Sequence, residues 1–133
     1  MKAEEINKFE KLQSQLEGLL IEMTNLVKKS PNDALNKFKI KMINEIISDA
    51  NKILGDSYKP LTYFEKFDDD DLPSNSDVSF ILTQYLSCFE KLRADNIYRK
   101  QKSDGSKYFF EWYWYLEGKE SLIKTASPQK LNK

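Results

Sequence analysis

Starting at Ile6, the apolar residues Phe9, Leu12, Leu16, Leu19, Met23 and Leu26 follow one another at steps of three and four, and this seam constrains the fold more than any other feature. Such spacing keeps every apolar side chain on one side of a helix, so residues 3–29 are expected to be helical with a single narrow buried stripe. Leu20 and Val27 widen the stripe towards its end, as in a helix that meets more than one neighbour there. Ser30-Pro31-Asn32-Asp33 then offers a capping serine, a proline at the first helical position and an acidic residue at N3. A second helix is expected over residues 31–54. Its apolar set is Leu35, Phe38, Met42, Ile43, Ile46, Ile47, Ala50, Ile53 and Leu54, with Gly55 as its left-handed stop. So short a connection makes the two helices antiparallel neighbours. At 1.5 Å per residue they are roughly 40 and 36 Å long. A compact chain of this length has a diameter on the order of 36 Å. The hairpin therefore spans the whole molecule, and its apolar seam must be covered by the rest of the chain or by a second copy.

Residues 55–74 carry two prolines, no helical period and the run Asp68-Asp69-Asp70-Asp71, which reads as an irregular crossover. Tyr58, Leu61, Tyr63, Phe64 and Phe67 are too apolar for a free linker and should pin it across the hairpin. Ser74 with Asp77 forms the next cap, and Val78, Ile81, Leu82, Tyr85, Leu86, Phe89 and Leu92 continue at helical spacing, placing a third helix at 75–96. Beyond it, turn signals at Asp104-Gly105 and Glu117-Gly118 divide residues 97–125 into three β-prone segments, the pattern of an antiparallel meander. Residues 126–133 read as a frayed tail. The fold class is thus α+β, one domain of three helices followed by a three-stranded sheet.

Tyr108 to Leu116 places seven aromatic side chains in nine positions. A run apolar on all sides has no diagnostic period and could be helix or strand, but aromatic enrichment and flanking glycines favour the strand. As a strand, Tyr108, Phe110, Trp112, Trp114 and Leu116 share one face, a natural core, while Phe109, Glu111, Tyr113 and Tyr115 share the other. Three further rings on that second face make a patch of several hundred Å², near the largest a monomer tolerates. The crossover or the hairpin covers it, or a partner does. Phe109, Trp112, Tyr113, Trp114 and Tyr115 are the candidate partner-binding residues, since large rings make the strongest interface anchors.

The 21 basic and 21 acidic residues cancel, so net charge selects no partner. Histidine is absent, which removes the commonest general base and metal ligand and excludes serine triads, Cys-His pairs and His-based zinc sites. Cys88 is the only cysteine, so no internal disulfide forms. The four glycines are scattered and build no phosphate loop. The aspartate run lacks the alternating ligands, central glycine and terminal glutamate of a calcium loop, so no metal site is expected. No cofactor is expected either, and the chain reads as no enzyme. No leader and no membrane-spanning segment are recognised, which points to the cytoplasm.

Arg99, Lys100, Lys102 and Lys107 bracket the Asp104-Gly105 turn, and three helices followed by a basic hairpin invite comparison with winged-helix nucleic-acid binders. The third helix offers only the mixed set Glu90, Lys91, Arg93 and Asp95, and the acidic crossover replaces the usual short turn. The leading expectation is therefore a non-enzymatic protein-interaction or adaptor module, self-associating or of inhibitor or immunity type. A nucleic-acid regulator using the basic hairpin tip is the alternative.

Overall fold

The computed structural model describes residues 1–128. Helices α1 (Ala3–Lys29), α2 (Lys37–Tyr58) and α3 (Asn75–Asp95) precede strands β1 (Ile97–Ser103), β2 (Tyr108–Leu116) and β3 (Lys119–Thr125). The strands form an antiparallel sheet in the order β1-β2-β3, so the α+β class and the meander expected from the sequence are both present. Residues 126–128 are irregular and exposed; the rest of the expected tail, 129–133, lies outside the described residues.

The α1 seam is the spine of the core. Ile6, Phe9, Leu12, Leu16 and Met23 are buried, and Phe9 stacks on Phe89 of α3 with ring centroids 4.8 Å apart. Helix α3 starts where its cap predicts, with the Ser74 hydroxyl accepting the Asp77 backbone N–H at 3.1 Å. Among these apolar contacts lies a polar group. The Arg93 guanidinium donates to both Glu90 carboxylate oxygens at 2.5 and 2.7 Å, and Gln13 of α1 donates to the same carboxylate at 2.5 Å.

Helix α2 departs from expectation at both ends. Residues 31–36 are not helical, because the backbone there is used to clasp the start of α3. Leu35 N–H donates to the Pro73 carbonyl, Asn75 N–H to Asp33 and Ser76 N–H to Pro31, at 2.9–3.0 Å. The Asn75 side-chain amide adds a bond to the Ser30 carbonyl at 2.9 Å. The cap is Asn36, whose side chain accepts from Lys39 N–H at 2.8 Å. Two capping signals six residues apart compete here, Ser30 and Asn36, and the tertiary clasp selects the second. Starting at Lys37 brings Ile40 into the buried stripe, which runs Ile40, Ile43, Ile47, Ala50 and Leu54, while Phe38 is left 73% exposed. Gly55 does leave the helical region, at φ +62 and ψ −175, but a last turn follows it to Tyr58.

The crossover is pinned, as its aromatic content predicts. Asn44 of α2 both donates to the Phe67 carbonyl and accepts its N–H, at 2.9 and 2.8 Å. Phe67 is buried against Phe64, which packs on Tyr85 of α3.

The sheet joins this core through one residue above all. Trp114 is fully buried, meets Phe9 edge-on at 5.1 Å and donates its indole N–H to Glu10 Oε1 at 2.8 Å. The same oxygen accepts from the Thr125 hydroxyl at 2.8 Å, so one α1 carboxylate holds both β2 and β3. Opposite Trp114 the β2–β3 register slips, with Tyr113 facing Lys124 but Tyr115 facing Glu120. Ser121 fills the irregularity by donating its hydroxyl to the Trp114 carbonyl at 2.6 Å.

Candidate partner-binding surface

Strand β2 is nine residues long, and only its second half lies on the helices. Inner-face burial falls steadily towards the β1–β2 turn: Trp114 is buried, Trp112 half-buried, Phe110 50% exposed and Tyr108 76% exposed. The sheet thus overhangs its own core. The Arg99 guanidinium lies 4.2 Å from the Phe110 ring centroid, a cation–π contact.

The outer face is covered by its own strands. Tyr113 is buried, stacked on Tyr98 of β1 at 5.8 Å, with the Lys102 ammonium 5.9 Å from its ring. Tyr98 also packs on Tyr115 at 5.0 Å and donates its hydroxyl to the Ser121 carbonyl at 2.5 Å. The Tyr113 hydroxyl donates to Glu111, which accepts from Lys124 at 3.3 Å. That hydrogen bond is the main reason the Tyr113 phenol is pushed up to about 12 and the Glu111 carboxyl held below its usual range. A phenol so held stays neutral, and a carboxylate so held is a poorer proton acceptor than an ordinary one. The cluster is therefore built to fix ring positions. Towards the turn the cover runs out, and Phe109 is 41% exposed.

Of the five rings singled out by sequence, Trp114 and Tyr113 are therefore buried inside this chain, Trp112 and Tyr115 are half-buried, and Phe109 reaches solvent. The exposed set is instead Tyr108, Phe109 and Phe110, three consecutive rings on both faces of the overhanging end. Tyr108 and Phe110 escape a parity argument, because parity says which face a side chain is on and not whether the core extends beneath it. The relevant signal was the seven-residue length of β1, whose Arg99, Gln101 and Ser103 place polar partners opposite Trp112, Phe110 and Tyr108.

The turn that presents these rings is rigidly built. Asp104 Oδ1 accepts from Ser106 N–H, the Ser106 hydroxyl and Lys107 N–H at 2.9–3.0 Å. Those bonds hold its carboxyl below the ordinary range, the Ser106 N–H contributing most. The four cations named from sequence sit around the same end without forming one row. Register places Arg99 on the inner face with Trp112, Lys100 and Lys102 on the outer face with Glu111 and Phe109, and Lys107 in the turn. In α3, Glu90 and Arg93 are buried, so two of its four C-terminal charged residues are withdrawn from any groove.

Among the described residues no group of three or more acidic or cysteine side chains is placed to hold a metal ion. No helix among them is long and apolar enough to cross a membrane. No protein-family model matches the chain, and no curated protein and no solved structure matches it.

Proposed function

We propose that this protein is a non-catalytic binding module of the cytoplasm that docks another protein through the overhanging end of its sheet, in the manner of an adaptor or of an inhibitor or immunity-type partner. The observation that carries this reading is the exposure of Tyr108, Phe109 and Phe110 side by side on a turn fixed by Asp104. Rings held in place lose little conformational entropy on contact, which is what makes aromatic anchors effective. With Arg99, Lys100, Lys102 and Lys107 around them against Asp104 and Glu111, the matching surface is an apolar pocket with a carboxylate rim. The unpaired Cys88 suits a reducing compartment.

The test is affinity capture with the wild-type chain and with Tyr108→Ser/Phe109→Ser/Phe110→Ser. Specific retention of a protein that the triple variant loses, at unchanged thermal stability, is the expected result. Equal retention by both would remove the sheet end from the interface. The alternative reading, a nucleic-acid regulator, is supported by the cations beside exposed rings, a pairing that also suits single strands. Four phosphate contacts on duplex DNA give a slope of log affinity against log salt of about −3.6, so binding without salt dependence, or none, eliminates it.

A further inference from the structure

A second surface lies on the other side of the sequence, between α1 and α2. Two clefts lined only by these helices and their connection run end to end. One of about 220 Å³ lies at the turn end, where Leu19, Met23 and Leu26 face Leu35, Phe38 and Met42. The other, of about 370 Å³, lies farther along, where Lys8, Lys11 and Gln15 face Glu45, Asp49 and Lys52. Phe38 is 73% and Met42 48% exposed at the mouth of the first cleft. Charges of both signs line the channel, with Glu22 and Lys39 at the apolar end. Yet none of Lys8, Lys11, Glu22, Lys39, Glu45 or Asp49 takes part in an ion pair among the described residues.

We infer that this channel is a homodimer interface, occupied by the same channel of a second copy, with a two-fold axis running along the helical hairpin. Such an axis lays each α1 over the partner's α2 at the same height, giving a four-helix arrangement in which every neighbour is antiparallel. The height match is decisive. Lys11 then meets the partner's Asp49, Gln15 the partner's Glu45 and Glu22 the partner's Lys39, and Leu19 and Leu26 meet the partner's Phe38 and Met42. Lys8 and the partner's Lys52 are the one like-charge pair, at the far end of the cleft. A two-fold axis across the hairpin instead lays α1 on α1 and α2 on α2 with heights inverted, which brings Lys39 against the partner's Lys52 and lysines against leucines. The overlap is also large enough: helices about 33 Å long in a pair about 20 Å wide bury about 1,300 Å² in total, within the range of stable interfaces. The sheet end plays no part in this contact, so the dimer and the docking surface succeed or fail separately.

Sedimentation equilibrium tests the assignment. The wild-type chain is expected at twice 15.6 kDa, and Phe38→Glu/Met42→Glu is expected to raise the dimer dissociation constant at least about 100-fold with unchanged circular dichroism, because both residues are exposed in the single chain. Lys39→Glu distinguishes the two axes. It weakens the dimer about tenfold if residue 39 faces the partner's Glu22, and Glu22→Lys in the same chain restores it; it strengthens the dimer if residue 39 faces Lys52. A monomer at 100-fold excess over any ordinary cellular concentration overturns the inference. So does a dimer insensitive to Phe38→Glu/Met42→Glu, a dimer dissolved instead by the Tyr108/Phe109/Phe110 serine variant, or one strengthened by Lys39→Glu.

Discussion

Replacing Trp114 by alanine tests whether the sheet and the helices are one cooperative body. The indole is fully buried against Phe9 and bonded to Glu10. Truncating a buried aromatic ring to alanine costs about 3–5 kcal/mol through lost transfer energy and the cavity left behind. The missing hydrogen bond adds little, because Glu10 is half-buried, keeps its bond from Thr125 and regains water. A loss of about 4 kcal/mol is a large share of the 5–15 kcal/mol typical of a domain. It corresponds to a fall in Tm of about 14 °C at a size where 1 kcal/mol is worth about 3–4 °C. Trp114→Phe keeps the edge contact with Phe9 and should lose about 2 kcal/mol. Urea denaturation followed by far-ultraviolet circular dichroism and by near-ultraviolet aromatic signals gives the measurement, with Tyr108→Ser as a control expected within about 0.5 kcal/mol of wild type. A loss below about 1 kcal/mol for Trp114→Ala refutes the reasoning. So does a helical transition left in place while the aromatic signal melts early, for the sheet would then be an appendage.

Arg93→Met alone should cost about 3–5 kcal/mol, since it removes the guanidinium that balances a buried carboxylate, whereas Gln13→Met/Glu90→Leu/Arg93→Met should recover most of that loss; equal destabilisation by both, read from denaturation midpoints, would show that the group is needed for more than mutual compensation. Gly55→Ala should cost about 1–3 kcal/mol, because φ +62 with ψ −175 is open essentially to glycine alone. Gly18→Ala, in mid-helix with no atom within 4 Å of the added methyl, should stabilise by about 0.5–1 kcal/mol on the same assay. Tyr113 should titrate near 12 by ultraviolet absorbance, with Tyr113→Phe removing that phenol and Glu111→Gln lowering its midpoint. Its raised folded value means that the stability it contributes is complete below the ordinary phenol range around 10 and is lost as pH rises from there towards 12; a midpoint near 10 for Tyr113 in the folded chain would contradict the hydrogen bond.

Much of the architecture was legible because it rests on local chemistry. The α1 seam, the Ser74 cap and the two glycine turns each determine their own element, and each appears where the residues place it. The start of α2 was not legible, since Ser30 and Asn36 are both competent caps and the choice between them is made by hydrogen bonds to residues 73–76, forty positions away in the chain. The same shift hid Ile40 from the predicted core and exposed Phe38. In the sheet, alternation correctly put Trp114 on the core side. It gave no measure of how far the helices reach beneath β2, so it could not separate the enclosed Trp114 from the overhanging Phe110. Tyr113 shows the other limit: an outward ring can be buried by stacking within its own sheet face, which no period along one strand reveals.

The clasp between residues 31–35 and 73–76 turns everything from Asn36 to Leu72 into a lasso closed at its neck by main-chain bonds. A change in the aspartate run leaves the start of α3 in place, because α3 takes its starting position from the end of α1 and not from the path of the intervening chain. Lengthening the aspartate run, or nicking it with a protease, should therefore leave Phe9, Phe89 and Trp114 in register, whereas a cut at Asp33 would release the neck and let α2 drift from both its neighbours.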